Sequence, residues 1–339
     1  PVERVGAQIG EVLEIHTDLS ANERRERVLD VMRAVHLPDV ERMIDAFPHQ
    51  LSGGQRQRVM IAAALVLDPV LLIADEPTTA LDVTTQAQIL SLIAELRERR
   101  GTGVLFITHD FGVVAEIAHR VVVMQHGRIV EVGTRDEIIQ APKMDYTRTL
   151  ISSVPSLTPP PRAPKSGEVK LETRDLSKTY GSAGFFGKGR IVHAARDVNV
   201  QVRRGETLGI VGESGSGKTT VARCIARLVA PSGGEILIDE DDWAQLDESN
   251  LRPLRKKVQI LFQDPYRSLN PRRTVGSSVI EGPMNYGGSR EACMAQAREL
   301  MELVGLSPDA LSRYPHQFSG GQRQRIAIAR ALALEPEIL

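Results

Sequence analysis

Cysteine is nearly absent from this sequence: Cys224 and Cys293 are the two in 339 residues. Their spacing fits no metal-ligand pattern, so they read as packing residues of a chain suited to a reducing compartment. Long apolar runs are missing as well. Val59 to Leu67, the longest near the middle of the first half, stops at Asp68 and Pro69, far short of the ~20 residues a membrane-spanning helix needs. Charge of one sign does not dominate either. A net charge of -1 gives no broad basic field, and nucleic acid is not expected as a partner. The opening Pro-Val-Glu-Arg has no signal-peptide pattern and no initiator Met, so a cytoplasmic setting is expected, with the true N-terminus missing.

What is present, 42% hydrophobic and 25% charged positions, is an ordinary globular composition with room for about two domains. An internal repeat organises it. Phe-Pro-His-Gln-Leu-Ser-Gly-Gly-Gln-Arg-Gln-Arg, residues 47–58, recurs as Tyr-Pro-His-Gln-Phe-Ser-Gly-Gly-Gln-Arg-Gln-Arg at 314–325. Val5-Gly6 is likewise echoed by Val275-Gly276. These mark two copies of one domain. Between them Val154 to Gly167, with prolines at 155, 159, 160, 161 and 164, reads as an extended linker. The expected division is residues 1–133, the later part of a first copy; 134–167, an extension and linker; and 168–339, the earlier part of a second copy.

Leu71 to Ala74 and Val104 to Thr108 are short apolar runs of buried parallel-strand type on either side of a helical stretch, Thr84 to Arg100, an α/β alternation. Val121 to Val132, broken by His126-Gly127, predicts a hairpin. Thr207 to Val211 is expected as a strand that enters Gly212-Glu213-Ser214-Gly215-Ser216-Gly217-Lys218-Thr219-Thr220, followed by a helical pattern to Leu228. Strand, glycine loop, lysine and threonine in this register predict a phosphate-binding loop. Its backbone N–H groups and helix N-terminus would face a phosphate, Lys218 would neutralise the β and γ phosphates, and the Thr219 hydroxyl would ligate Mg²⁺. The bland alternative is a glycine-rich turn with an exposed lysine.

The class within nucleotide-binding proteins is chosen by Ser-Gly-Gly-Gln, at Ser52, Gly53, Gly54, Gln55 and again at Ser319, Gly320, Gly321, Gln322. A serine and two glycines opening a helix can make a second anion site, and read alone they are a helix start and nothing more. Here the chain resembles the signature of the ATP-binding-cassette family. The resemblance implies an α/β P-loop NTPase fold, with a mostly parallel central sheet, an antiparallel β subdomain and a helical signature subdomain, present as two truncated tandem copies. It also implies ATP and Mg²⁺ as ligands.

Leu71-Leu72-Ile73-Ala74-Asp75-Glu76 resembles the family's second nucleotide motif, in which Asp75 would hold Mg²⁺ through water and Glu76 would act as general base; capping of the next helix is the rival reading. Asp82 matches the loop that crosses to a partner domain, His109 the switch histidine at the γ-phosphate, Tyr180 the aromatic that stacks on adenine, with core packing as its rival, and Gln263 the residue that touches Mg²⁺ and water and links the site to the membrane partner.

Two segments look like the oligopeptide, dipeptide and nickel importer branch: Phe262-Gln263-Asp264-Pro265-Tyr266-Arg267-Ser268-Leu269-Asn270-Pro271-Arg272, and Asp145-Tyr146-Thr147-Arg148-Thr149-Leu150-Ile151. Met144-Asp145 stands where that group has His-Pro. Some relatives carry an iron–sulfur cluster in this extension; residues 134–165 contain no cysteine, and no cluster is expected. The implied partners are transmembrane permease subunits at the cytoplasmic face of a bacterial membrane and, indirectly, an extracytoplasmic solute-binding protein, with peptides, glutathione or nickel as cargo.

Cassettes of the family pair head to tail. Lys218, Thr219, Tyr180 and Gln263 would face Ser52, Gly54 and Asp82, while Asp75, Glu76 and His109 would face Ser319 and Gly321. The spacing from Ser52 to Ser319 puts the counterparts of Gly212 and Gln263 before Pro1, and those of Asp75 and His109 after Leu339. Each composite site is therefore expected half built, and the chain a fragment of a longer ATPase. The competing readings are a soluble cassette acting on ribosomes or in DNA repair, which the lack of a charged coiled-coil insertion opposes, and a docking protein that does not hydrolyse ATP.

Overall fold

The computed structural model describes residues 2–79, 81–155, 158, 166–181 and 191–339, with only the backbone of Arg100 and Arg267. Ala80 and the linker prolines 159, 160, 161 and 164 lie outside the described residues. The chain divides into two compact units, Pro1–Pro161 and Arg162–Leu339.

The first unit begins with α1 (Val5–His16), α2 (Ala21–Ala34), the single turn α3 (Val40–Met43) and α4 (Gly53–Leu65). Val5, Ile9 and Leu13 recur along one face of α1 and are fully buried, against Val28, Met32, Ile61 and Leu65 of the neighbouring helices. Helix α2 starts on a reciprocal cap, in which the Ser20 amide donates to Glu23 at 2.8 Å and the Glu23 amide to the Ser20 hydroxyl. Then come β1 (Leu71–Asp75), α5 (Val83–Arg100) and β2 (Gly103–Ile107). The two strands pair in parallel, Leu71 opposite Gly103 and Asp75 opposite Ile107, with α5 as the crossover that parallel pairing requires.

The strands are as expected, but their burial is not. Leu72 and Ala74 are buried, while Leu71, Ile73, Leu105 and Ile107 are exposed on the other face. A parallel strand is buried on both faces when layers cover both, and among the described residues of this unit one layer packs on it. Beyond lie α6 (Phe111–Ile117), the hairpin β3 (Arg120–Gln125) and β4 (Arg128–Thr134), α7 (Arg135–Gln140) and α8 (Asp145–Ser152). His126 and Gly127, both at positive φ, make the predicted hairpin turn. Val121, Val123 and Ile138 form its small core, covered by Tyr146 and Leu150 of α8.

The second unit opens on β5 (Val169–Tyr180) and β6 (Val192–Arg203), then α9 (Lys218–Ile225), β7 (Gly233–Ile238), β8 (Asp241–Asp242), α10 (Glu248–Leu251), α11 (Pro265–Ser268), α12 (Val275–Asn285), α13 (Arg290–Leu303) and α14 (Gly320–Leu332). Its antiparallel sheet runs β6-β5-β7-β8. Leu171, Leu176, Ile236 and Ile238 pack there on Cys224 of α9 and on Trp243. A separate helical core joins α12, α13 and α14 around Val275, Met301 and Ile326. Beside the sheet, Lys170 and Lys257 both contact Asp239 and Glu337. Their hydrogen bonds pull the Asp239 carboxyl down to about 2.

Thr207 to Val211 is not a strand, contrary to the sequence pattern. Leu208 and Ile210 are half exposed and Val211 is 96% exposed. A strand exists only through a neighbour's hydrogen bonds, and among the described residues none pairs with this segment. The residues after Val258 are likewise unpaired except for a parallel bridge from Val258 to Ile338. Among the described residues the parallel ladder is thus two-stranded, with one further parallel bridge, where a larger central sheet was expected.

Candidate functional site

The glycine loop in the second unit ends at Gly217, whose φ of 93° only glycine takes without strain. A β-carbon there would stand 2.0 Å from the Ala194 carbonyl of β6. The loop therefore lies directly on β6, and α9 starts at Lys218. The Lys218 ammonium folds back, donating to the Gly212 and Glu213 carbonyls, both at 2.6 Å, and to the Ser216 hydroxyl at 3.2 Å. It is not the loose surface lysine of the bland reading. Its three donors are taken up by the loop's own oxygens, which holds the charge over the turn as a cationic cradle that a phosphate could enter by displacing them. Thr219 and Thr220 follow in the first turn of α9, so the threonine hydroxyls stand next to this cradle in sequence and on one helix end.

Tyr180 closes β5 opposite Val192, two residues along β6 from the Ala194 carbonyl that Gly217 approaches. The ring is 41% exposed, and the Lys178 ammonium sits 5.1 Å from its centroid. Core packing is thereby excluded for Tyr180. Gln263 is exposed in the irregular segment before α11; among the described residues no contact joins it to Lys218 or Thr219.

The two Ser-Gly-Gly-Gln strings fold alike. Ser52 caps α4, its amide donating to the Gln55 side chain at 2.9 Å and its hydroxyl accepting from the Gln55 amide at 3.3 Å. Ser319 and Gln322 make the same pair at 3.0 and 3.3 Å at the start of α14. The preceding turns match too, with the Phe47 amide donating to Gln50 and the Tyr314 amide to Gln317, each at 2.8 Å. Both serines are exposed, as are Gly53 and Gly321, while Gly54 and Gly320 are partly buried. Glycine has different reasons at the two starts: a β-carbon on Gly54 would meet the Thr85 methyl at 2.5 Å, whereas Gly320 and Gly321 face open space.

In the first unit β1 delivers Asp75 and Glu76 at its C-terminal end. Glu76 adopts φ 46°, a left-handed conformation that a residue other than glycine holds only when its surroundings fix it. Its amide donates to Ile107 of β2 at 2.9 Å. One carboxylate oxygen lies 2.9 Å from His109 Nδ1, and the other accepts from the Thr79 hydroxyl at 2.8 Å. His109 and Thr79 together hold the Glu76 carboxyl below the usual carboxylate range. An ionised carboxylate only accepts, so Nδ1 is the ring nitrogen that carries the proton. Glu76 does not cap α5. Asp82 does, accepting from the Thr85 amide at 3.0 Å and the Thr85 hydroxyl at 2.9 Å.

Sequence reasoning missed Thr79 as a partner of Glu76 and Asp82 as a cap. The second had a signal, since Asp-Val-Thr-Thr is an ordinary helix start. It also missed Glu131, whose carboxylate accepts from the Lys143 amide at 2.8 Å and the Met144 amide at 3.2 Å, tying the start of α8 to β4.

A lysine-bearing glycine loop at a helix start on an α/β scaffold defines the class of P-loop nucleoside triphosphate-binding proteins. The chain belongs to the ABC transporter family, whose model matches residues 4–79 and 195–339, more than half of the chain. The oligopeptide/dipeptide transporter C-terminal region matches residues 130–186. The glutathione import ATP-binding protein GsiA of Escherichia coli (strain K12) is 46% identical over 368 aligned residues, 100% of this chain and 59% of that protein. The protein of the same name from Salmonella typhi is 45% identical over 367, again 100% of this chain and 59% of its own length. This chain therefore spans 59% of the length of these relatives. A solved structure, the dimeric post-hydrolysis state of the ATP-binding cassette MJ0796 bound to ADP and Pi, aligns with TM-score 0.43 at 33% identity over 49% of this chain and 70% of that one.

Proposed function

We propose that the chain is part of the ATP-binding, ATP-hydrolysing subunit of an importer for peptides or related small solutes, glutathione and nickel included. Membership of the ABC family, together with the oligopeptide-transporter region at residues 130–186, is the observation that carries this reading. The relatives named for glutathione import support the solute class. Two tandem cassette copies would account for the paired Ser-Gly-Gly-Gln helix starts with their matching caps.

In this reading the Lys218 ammonium exchanges its carbonyl partners for the β and γ phosphates, and the loop amides of residues 213–219 bind the same oxygens. Tyr180 stacks on adenine. Thr219 and Gln263 would hold the Mg²⁺ of one site and Asp75, through water, that of the other, and the ion would supply charge neutralisation when bound. Glu76, whose charge His109 and Thr79 stabilise, takes the proton of the attacking water, and His109 touches the γ-phosphate. Ser52 to Gln55 and Ser319 to Gln322 present hydroxyl and N–H groups to the γ-phosphate of a cassette packed head to tail, with Asp82 in the crossing loop. The subunit works at the cytoplasmic face of the membrane with permease subunits, and a solute-binding protein selects the cargo outside. No helix among the described residues is long and apolar enough to cross a membrane, so the permease provides the path.

Glu76→Gln in the full-length natural protein tests this. ATP should remain bound at the site Glu76 serves while its turnover falls ~10²- to 10⁴-fold. A full wild-type rate would overturn the general-base role.

A further inference from the structure

The segment that directly follows Gln263 is held to α14 of the same unit. The Tyr266 ring lies under the Arg323 guanidinium, 3.9 Å from Cζ to the ring centroid. Arg323 is the residue directly after Ser319-Gly320-Gly321-Gln322, on the first turn of α14. Two residues past Tyr266, the Ser268 carbonyl accepts from Arg330, about two turns beyond Arg323 on α14. Burial pushes the Arg330 guanidinium below its ordinary value, which marks how much of it is enclosed. Leu269 then enters the helical core at 3% exposure. α11 is closed on itself by the Tyr266 amide donating to Asp264 and the Ser268 hydroxyl to the Pro265 carbonyl, at 2.9 and 3.1 Å. Asp264 to Leu269 is therefore a short handle fixed to α14 at two points and to the helical core at a third, with Gln263 at its N-terminal end.

The first unit contains the same string. Arg56, the counterpart of Arg323, is exposed and donates through Nε to the Leu51 carbonyl at 3.1 Å. In α14 the Arg323 guanidinium reaches the His316 carbonyl only at 3.4 Å, and its Nε is buried without a hydrogen-bond partner. A guanidinium gives up a hydrogen bond at Nε when another interaction holds its plane, and here that interaction is the aromatic face.

We infer that Tyr266 and Arg323 are positioning residues that couple the start of α14 to Gln263, so that a phosphate engaging Ser319 and Gly321 moves Gln263 with the helix. The inference rests on the reading of Ser319 and Gln263 as parts of ATP sites. A cation–π contact of this kind, partly removed from water, carries an effect of about 2- to 30-fold.

The test is a double-mutant cycle in the full-length natural protein. Tyr266→Leu and Arg323→Gln should each lower kcat for ATP by about 2- to 30-fold with KM unchanged, the double variant should be no worse than the weaker single, and Tyr266→Phe should keep wild-type turnover. Losses that multiply in the double variant, KM rising as kcat falls, or Phe behaving like Leu overturns the coupling. Hydrogen exchange on the same proteins separates this from the function itself. Tyr266→Leu and Arg323→Gln should both speed exchange at residues 264–268 and 322–326, and unchanged exchange at either segment overturns the clamp. Turnover equal to wild type in Lys218→Ala would instead remove the nucleotide reading of that loop, and exchange alone would then decide the clamp.

Discussion

At Gly217 a single hydrogen atom decides whether the phosphate loop can form. The left-handed φ and the approach to the Ala194 carbonyl both exclude a β-carbon, so Gly217→Ala must shift the loop off β6. The expected outcome is loss of ATP from the site that Lys218 serves in the full-length protein, together with a lower melting temperature for the second unit; unchanged ATP affinity at that site would show that the loop has another way to close. At Glu76 the residue type was legible in Asp-Glu after an apolar run, but its support was not. Thr79 lies in a loop with no periodicity, and His109 meets Glu76 only because β1 and β2 pair in parallel register, which puts the ends of two distant strands side by side. The reading of Ser52 and Ser319 needed both levels: each serine is a helix cap as local chemistry demands, and each leaves an exposed hydroxyl end as the family resemblance demands.

Among the elements, helices with caps and a hairpin with His-Gly at its turn were readable, because their stabilising groups are neighbours in sequence. α5 begins one residue before the expected Thr84, at the Asp82 cap, and α9 ends at Ile225, short of Leu228. Thr207 to Val211 was misread because its pattern states only that the segment is apolar; whether it becomes a strand depends on a partner that local sequence does not name. The extension helix α8 depends on a contact outside itself. The Thr147 hydroxyl beside Glu131 and the amides of Lys143 and Met144 keep the Glu131 carboxyl below its ordinary value. Its folded value being depressed, the stabilisation is complete above the unfolded carboxylate range near ~4.3 and is lost as pH falls through the lower folded value. Glu131→Ala should therefore speed hydrogen exchange at residues 143–150 near neutral pH, and wild type should approach the variant in acid. Equal exchange in the two at neutral pH would contradict the anchoring.

On the scale of the whole molecule, composition and the repeat predict two domains' worth of α/β structure, and the family comparison agrees with the α/β class. The sequence could not show how much of each sheet these residues complete. Sheet completeness is a property of long-range pairing, and the exposed Leu71, Ile73, Leu105 and Ile107 mark a face whose covering layer no local pattern predicts. The site shares this property, since a cassette's catalytic groups come from strand ends, loops and helix starts far apart in the chain. The central claim is that the loop at 212–220 binds ATP through Lys218, and binding of labelled ATP with Mg²⁺ to the full-length natural protein tests it most directly. Lys218→Ala is predicted to remove ATP from that site and to lower hydrolysis with it; binding and turnover equal to wild type would contradict the account.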